Sequence, residues 1–144
     1  MHRKAAAREG FFLPTLLVHH PIFREHLVPP GHAERPARLI AIEAALSAPA
    51  FTGLVRRPAP SATVGQVGLV HPETYIEWLA ETTPPEGLVP IEIDTFLSPK
   101  SFEAALHAVG AACFAVDAVM AGVVSNAFCA VRPPGHHAEP HRAM

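Results

Sequence analysis

The chain has 144 residues, 49% of them hydrophobic and 17% charged, with a formal net charge of -2 at neutral pH. That length suits one globular domain with enough apolar residues to fill a core. The slightly acidic balance excludes a basic field able to hold a phosphate backbone, so nucleic acid is not an expected direct ligand.

Met1–Gly10 is charged and Ala-rich, and the apolar stretch from Phe11 to Val18 is broken by Pro14 and lacks a small-residue cleavage site, which argues against a signal peptide. Thr15 to His20 is a short apolar run ending at Pro21, the pattern of a buried strand. A Pro/Gly loop over Val28 to Pro36 follows. From Pro36 to Ser47, Leu39, Ile42 and Leu46 fall at helical spacing, with Pro36 in the first turn. Leu54 to Pro58 reads as a second strand. His71 to Glu81 reads as a helix with Tyr75, Ile76 and Leu79 on one face, ended by Pro84 and Pro85.

The longest helix is expected to start with Ser98 as N-cap and Pro99 at its first position, burying Phe102, Leu106, Val109, Cys113, Val116 and Met120. His107 lies off that stripe and reads as solvated; Asp117 reads as partly exposed. A bilayer span takes roughly 20 apolar residues. Ala104 to Val124 is interrupted by His107, Asp117 and two glycines, so no membrane span is expected. Gly122 to Asn126 supplies stop and turn residues, and Ala127 to Val131 is a continuous apolar strand of the kind covered on both faces in parallel sheets. Cys113 and Cys129 form no C-x-x-C pair and read as small buried thiols, so a soluble protein of a reducing, cytoplasmic compartment is expected. Strand, helix, strand order indicates an α/β layer fold.

Directly after the last strand comes Arg132-Pro133-Pro134-Gly135-His136-His137-Ala138. Ligands of open parallel sheets collect at the carboxyl ends of strands, which is where this loop falls. Two prolines end the strand and Gly135 permits a turn, so the imidazoles are held in place. Adjacent side chains of an extended segment point to opposite faces, so acid and base roles suit His136 and His137 better than joint metal ligation.

Arg132 to Ala138 resembles the Arg-Pro-Pro-Gly-His-His-Ala signature of many histone deacetylases and bacterial amidohydrolases. Gly31-His32-Ala33-Glu34-Arg35-Pro36-Ala37-Arg38 is similar to that family's Gly-His-Pro-Glu-x-Pro-x-Arg, with Ala33 in place of proline. Asp94-Thr95 ahead of the long helix, and Val70-His71 ahead of Tyr75, agree in order and spacing. The resemblance to the histone deacetylase and acetylpolyamine amidohydrolase family runs from about Leu16 to Met144. It implies a partial three-layer, parallel-sheet α/β fold of the arginase and deacetylase type, and zinc-dependent hydrolysis of an acetylated amine, on acetyl-lysine or an acetylated small molecule. By this resemblance His136 is the general base, and His137 is its electrostatic partner and proton donor. Asp94 is the acidic residue at the rim that binds substrate, and Arg38 is the arginine at the inner end of the pocket.

The family's zinc ligands, two aspartates and a histidine, lie beyond the His pair, so no metal ligand is assigned here and Zn2+ is expected only for the complete domain. The whole stretch 1–144 then reads as the N-terminal portion of one deacetylase-like domain, inactive by itself. Two rivals accompany this reading. A binding or regulatory fragment could pair through an incomplete sheet edge. A small metal-binding module could use His137, Glu139 and His141, which alternate and in an extended segment would share a face.

Overall fold

The computed structural model of the protein describes residues 13–143. Most of the leader reading, Met1 through Phe12, lies outside them. Strand β1 (Thr15–His19) is the centre of the sheet, with Leu16 2% and Val18 0% exposed. A 3-10 turn (Pro21–Arg24) follows it, capped by His20, whose Nδ1 accepts the Ile22 N–H at 3.2 Å. Helix α1 (Pro36–Leu46) leads to β2 (Val55–Pro58). Next come the short α2 (Val64–Val67), α3 (Glu73–Thr82), the strands β3 (Val89–Glu92) and β4 (Thr95–Leu97), the long α4 (Ser101–Met120) and β5 (Asn126–Cys129).

The main sheet is parallel in the order β2-β1-β5, pairing Leu17 with Arg56 on one side and Phe128 on the other. β3 and β4 form a separate antiparallel hairpin. Cys129 Sγ contacts the Ala111 carbonyl at 3.6 Å, so α4 covers the face that Cys129 shares with its register partner Val18. Leu17 faces the other way, where it lines a cleft with Glu43 and Leu46 of α1. A helix on each face of a parallel sheet is the three-layer α/β arrangement expected from the order of elements.

The expected face of α4 is not the one buried. Ala104 and Ala111 are fully buried and Ala115 is 7% exposed, whereas Val116 is 60% and Met120 81% exposed. Small residues let the helix approach the sheet closely, while Phe102, Leu106, Val109 and Cys113 of the expected stripe are half-buried and its last two residues are turned outward. α4 is by length and composition apolar enough to cross a membrane, contrary to the expectation above, yet its alanine face packs on the sheet. The helix starts at Ser101 rather than at Pro99, with Lys100 in the cap position and no side-chain cap. Ser98 is occupied elsewhere: its hydroxyl accepts the Leu27 N–H at 2.9 Å and donates to the Glu25 carbonyl at 3.2 Å.

His107 is not merely solvated. It hydrogen-bonds the Ala59 carbonyl through Nδ1 at 2.8 Å and stacks on His20 with ring centroids 4.2 Å apart. Among the described residues β5 is covered on one face, and Phe128 on the other is 47% exposed. α3 begins at Glu73, with Pro72 as its cap residue, and buries Tyr75 and Ile76 as expected.

Gly110 shows how closely α4 is held. An added Cβ there would lie 2.0 Å from the Pro60 carbonyl oxygen and 2.9 Å from the Ala62 N. Both are backbone atoms of one segment, and Ala62 N–H already bonds the Leu106 carbonyl at 3.0 Å. Gly110→Ala gains up to about 1 kcal/mol of helix propensity but incurs an overpacking cost of about 1–3 kcal/mol. A net loss of stability in urea denaturation is expected, and a variant more stable than wild type would contradict this packing.

Candidate active site

The segment 31–38 joins the parts of the site. Gly31 takes φ +81°, a left-handed conformation that favours glycine, and turns the chain into the loop. His32 then faces the β3–β4 hairpin: its Nε2 lies 3.1 Å from the Asp94 carbonyl, and its ring meets Phe96 edge-on. Its Nδ1 lies 2.8 Å from the Glu34 carbonyl and 3.2 Å from the Glu34 nitrogen, and since a carbonyl can only accept, the ring proton can serve either the Glu34 or the Asp94 carbonyl.

Glu34 holds the residue that opens the His-pair loop. Arg132, 3% exposed, donates from Nε and Nη2 to the two Glu34 oxygens at 2.5 and 2.8 Å, and from Nη1 to the Phe23 carbonyl at 2.8 Å. Burial alone would raise the Glu34 carboxyl, but the hydrogen bonds and charge of Arg132, with smaller contributions from His26 and Arg38, outweigh it and hold the carboxyl below its usual range. His26 is buried beside this pair. Its Nδ1 lies 2.7 Å from Ser101 Oγ and its Nε2 3.7 Å from Glu34. Burial, reinforced by the Arg132 charge and opposed by Glu34, pushes His26 down to about 4. It is therefore neutral at pH 7, and its contact with Glu34 is not an ion pair.

Beyond Arg132 the chain turns at Gly135 (φ +69°), and the Ala138 N–H closes the turn on the Gly135 carbonyl at 3.0 Å. His136 and His137 are both exposed in this turn, and their ring centroids lie 4.1 Å apart. The expectation of opposite faces fails because the segment is a turn, so the rings stand side by side. A second turn joins Glu139 and Arg142 through paired backbone bonds of 2.9 and 3.2 Å. Arg142 then reaches Glu92 at 2.8 and 3.2 Å, and the Pro140 carbonyl lies 3.0 Å from His71 Nδ1.

Asp94 sits exposed at the hairpin tip, and Arg38 is exposed in the first turn of α1. Among the described residues no hydrogen bond links either to His136 or His137; Asp94 is tied to the site through His32. No group of three or more His, Cys, Asp or Glu among the described residues could hold a metal ion. The zinc that the resemblance implies therefore has no site on these residues. The alternating set His137, Glu139 and His141 falls in turns rather than an extended segment. What the arrangement offers is two adjacent imidazoles that can take up and deliver protons, on a loop tied at both ends.

Comparisons with known proteins converge on one family. A family model described as the histone deacetylase domain matches residues 32–144. The chain is 36% identical over 115 residues to a histone deacetylase-like amidohydrolase of Pseudomonas aeruginosa, covering 79% of this chain and 30% of that protein. It is 33% identical over 152 residues to type-2 histone deacetylase 2 of Dictyostelium discoideum, covering 86% of this chain and 9% of that protein. With the human polyamine deacetylase HDAC10 it shares 37% identity over 120 residues, 77% of this chain and 18% of that protein. The crystal structure of the HDA15 HD domain superposes with a TM-score of 0.84 at 28% identity, covering 92% of this chain and 39% of that one. The fold is thus that of part of a deacetylase domain, and the chain spans well under half the length of each of these proteins.

Proposed function

The chain belongs to the histone deacetylase domain family, and from that premise we propose that it supplies the proton-handling side and part of the substrate rim of a zinc-dependent centre that removes acetyl groups from acetylated amines. The observation that carries the reading is the His136–His137 pair, side by side on a loop at the carboxyl end of β5. Hydrolysis adds water across the amide C–N bond. In this reading His136 takes a proton from water as the new C–O bond forms. A proton is then delivered to the nitrogen as the C–N bond breaks, with His137 as the donor and electrostatic partner. Asp94, at the tip of a hairpin braced by His32 and Arg142, would bind substrate at the rim, and Arg38 would line the inner end of the pocket.

The names of the relatives support acetylated proteins and acetylated polyamines as the substrate class. The isolated chain is proposed to be inactive, because its described residues offer no metal site. Two assays test this. The purified chain should show no bound metal and no turnover of a fluorogenic acetyl-lysine substrate, with or without added zinc. The segment should instead be active when it replaces its counterpart in the Pseudomonas aeruginosa amidohydrolase, and His136→Ala in that transplant should lower kcat by about 10²-fold or more. Unchanged turnover in His136→Ala would remove the histidine from the reaction.

A further inference from the structure

The His-pair loop is fastened on both sides of the histidines, by ion pairs whose partners lie far apart in the sequence. On the near side Arg132 binds Glu34 through two nitrogens, and the side chains are only 4% and 17% exposed. On the far side Arg142 binds both oxygens of Glu92 with side chains 55% and 27% exposed. Both acids belong to segments that also hold Asp94. Glu34 follows His32, whose Nε2 lies 3.1 Å from the Asp94 carbonyl, and Glu92 ends β3 just before the hairpin tip. Between the fastenings, rigid Pro133 and Pro134 and the turn closed by Ala138 N–H leave little freedom for the backbone that carries the rings.

We propose that Glu34 and Glu92 are positioning residues, which through Arg132 and Arg142 clamp the two ends of the His136–His137 loop and fix the pair relative to the hairpin that carries Asp94. The catalytic meaning of this clamp rests on the deacetylase reading; its geometry does not. A planar guanidinium bound through two nitrogens fixes direction as well as distance, which a lysine ammonium does not reproduce. Small errors in the placement of a reacting group can lower turnover by about 10²-fold, so a clamp outside the reacting atoms has a catalytic consequence.

The test reads the loop directly by NMR on the purified chain. Arg132→Lys keeps the buried charge but loses the fork, and Arg142→Gln breaks the exposed pair without disturbing the core. Lys100→Gln, which breaks the Lys100–Glu103 pair elsewhere, is the reference. Exchange of the Ala138 amide should accelerate by about tenfold or more in Arg132→Lys and by about fivefold or less in Arg142→Gln. The ring-to-ring contact between His136 and His137 should weaken in both, while the amides of Val18 and Cys129 keep wild-type rates. In the transplanted domain, Arg142→Gln should lower kcat and leave KM within about threefold. An unchanged Ala138 amide and ring contact in both variants would overturn the clamp. So would an equal acceleration throughout the sheet, which would reduce the pairs to general stability. A loosened loop together with full activity of His136→Ala would leave the clamp standing and overturn only the catalytic reading.

Discussion

Arg132→Ala should lower the free energy of unfolding by about 3 kcal/mol, at the low end of the loss found when one member of a buried ion pair is removed. Arg132 is 3% exposed, and truncation would deprive Glu34 of both hydrogen bonds and leave the Phe23 carbonyl without its donor. The low end applies because the Glu34 side chain is 17% exposed and water can partly replace the guanidinium. Replacing both members with apolar residues of similar volume, as in Arg132→Met with Glu34→Leu, should cost less than Arg132→Ala, since no charge is then left buried without a partner. Urea denaturation of the two single variants and the double variant at neutral pH measures the coupling. An Arg132→Ala protein within about 0.5 kcal/mol of wild type would show that the pair is solvated in solution.

That pair also marks how far the sequence could be read. β1, α1, β2 and β5 were legible because each is a short apolar run or a helical repeat bounded by Pro, Gly or Asn, and local patterning decides such elements. The β3–β4 hairpin was not, because Pro84, Pro85 and Pro90 read as loop and its strands are only four and three residues long. α2 carried a usable signal in Thr63 and Gln66, which form a capping box. The buried face of α4 was misread because periodicity weights bulky residues, whereas a helix lying close to a sheet needs alanine and glycine at the contact. In the site, the His136–His137 pair is legible from its place after a strand, Asp94 and Arg38 only through the family resemblance, and Glu34 and Arg132 stand inside the same motifs as Arg38 and the His pair. Their partnership spans 98 positions in the chain and leaves no mark in local spacing. The nearest available clue is one acid and one arginine, each in the same motif as a candidate site residue.

Acid should unfold the protein before its exposed carboxylates are neutralised, with His26 as the cause. Its folded value of about 4 lies below the ordinary 6.5, so between those values the unfolded chain binds a proton that the folded chain refuses. Stability from this group is complete above pH 6.5 and falls as pH drops toward 4, by about 3 kcal/mol across the window. Below it the group is protonated in both states and contributes no further slope. The Glu34 carboxyl, held below its usual range chiefly by Arg132 against the opposing effect of burial, extends the loss to lower pH, because its contribution disappears as it is protonated. The structural reason is the tight seat of His26, 5% exposed, where Ser101 Oγ lies 2.7 Å from Nδ1 and Arg132 opposes a second positive charge. His26→Gln should therefore be less stable than wild type at pH 7 but flatter in its dependence between pH 6.5 and 4. Denaturation midpoints collected across that range decide the matter: a slope as steep in His26→Gln as in wild type would assign the acid sensitivity to another group.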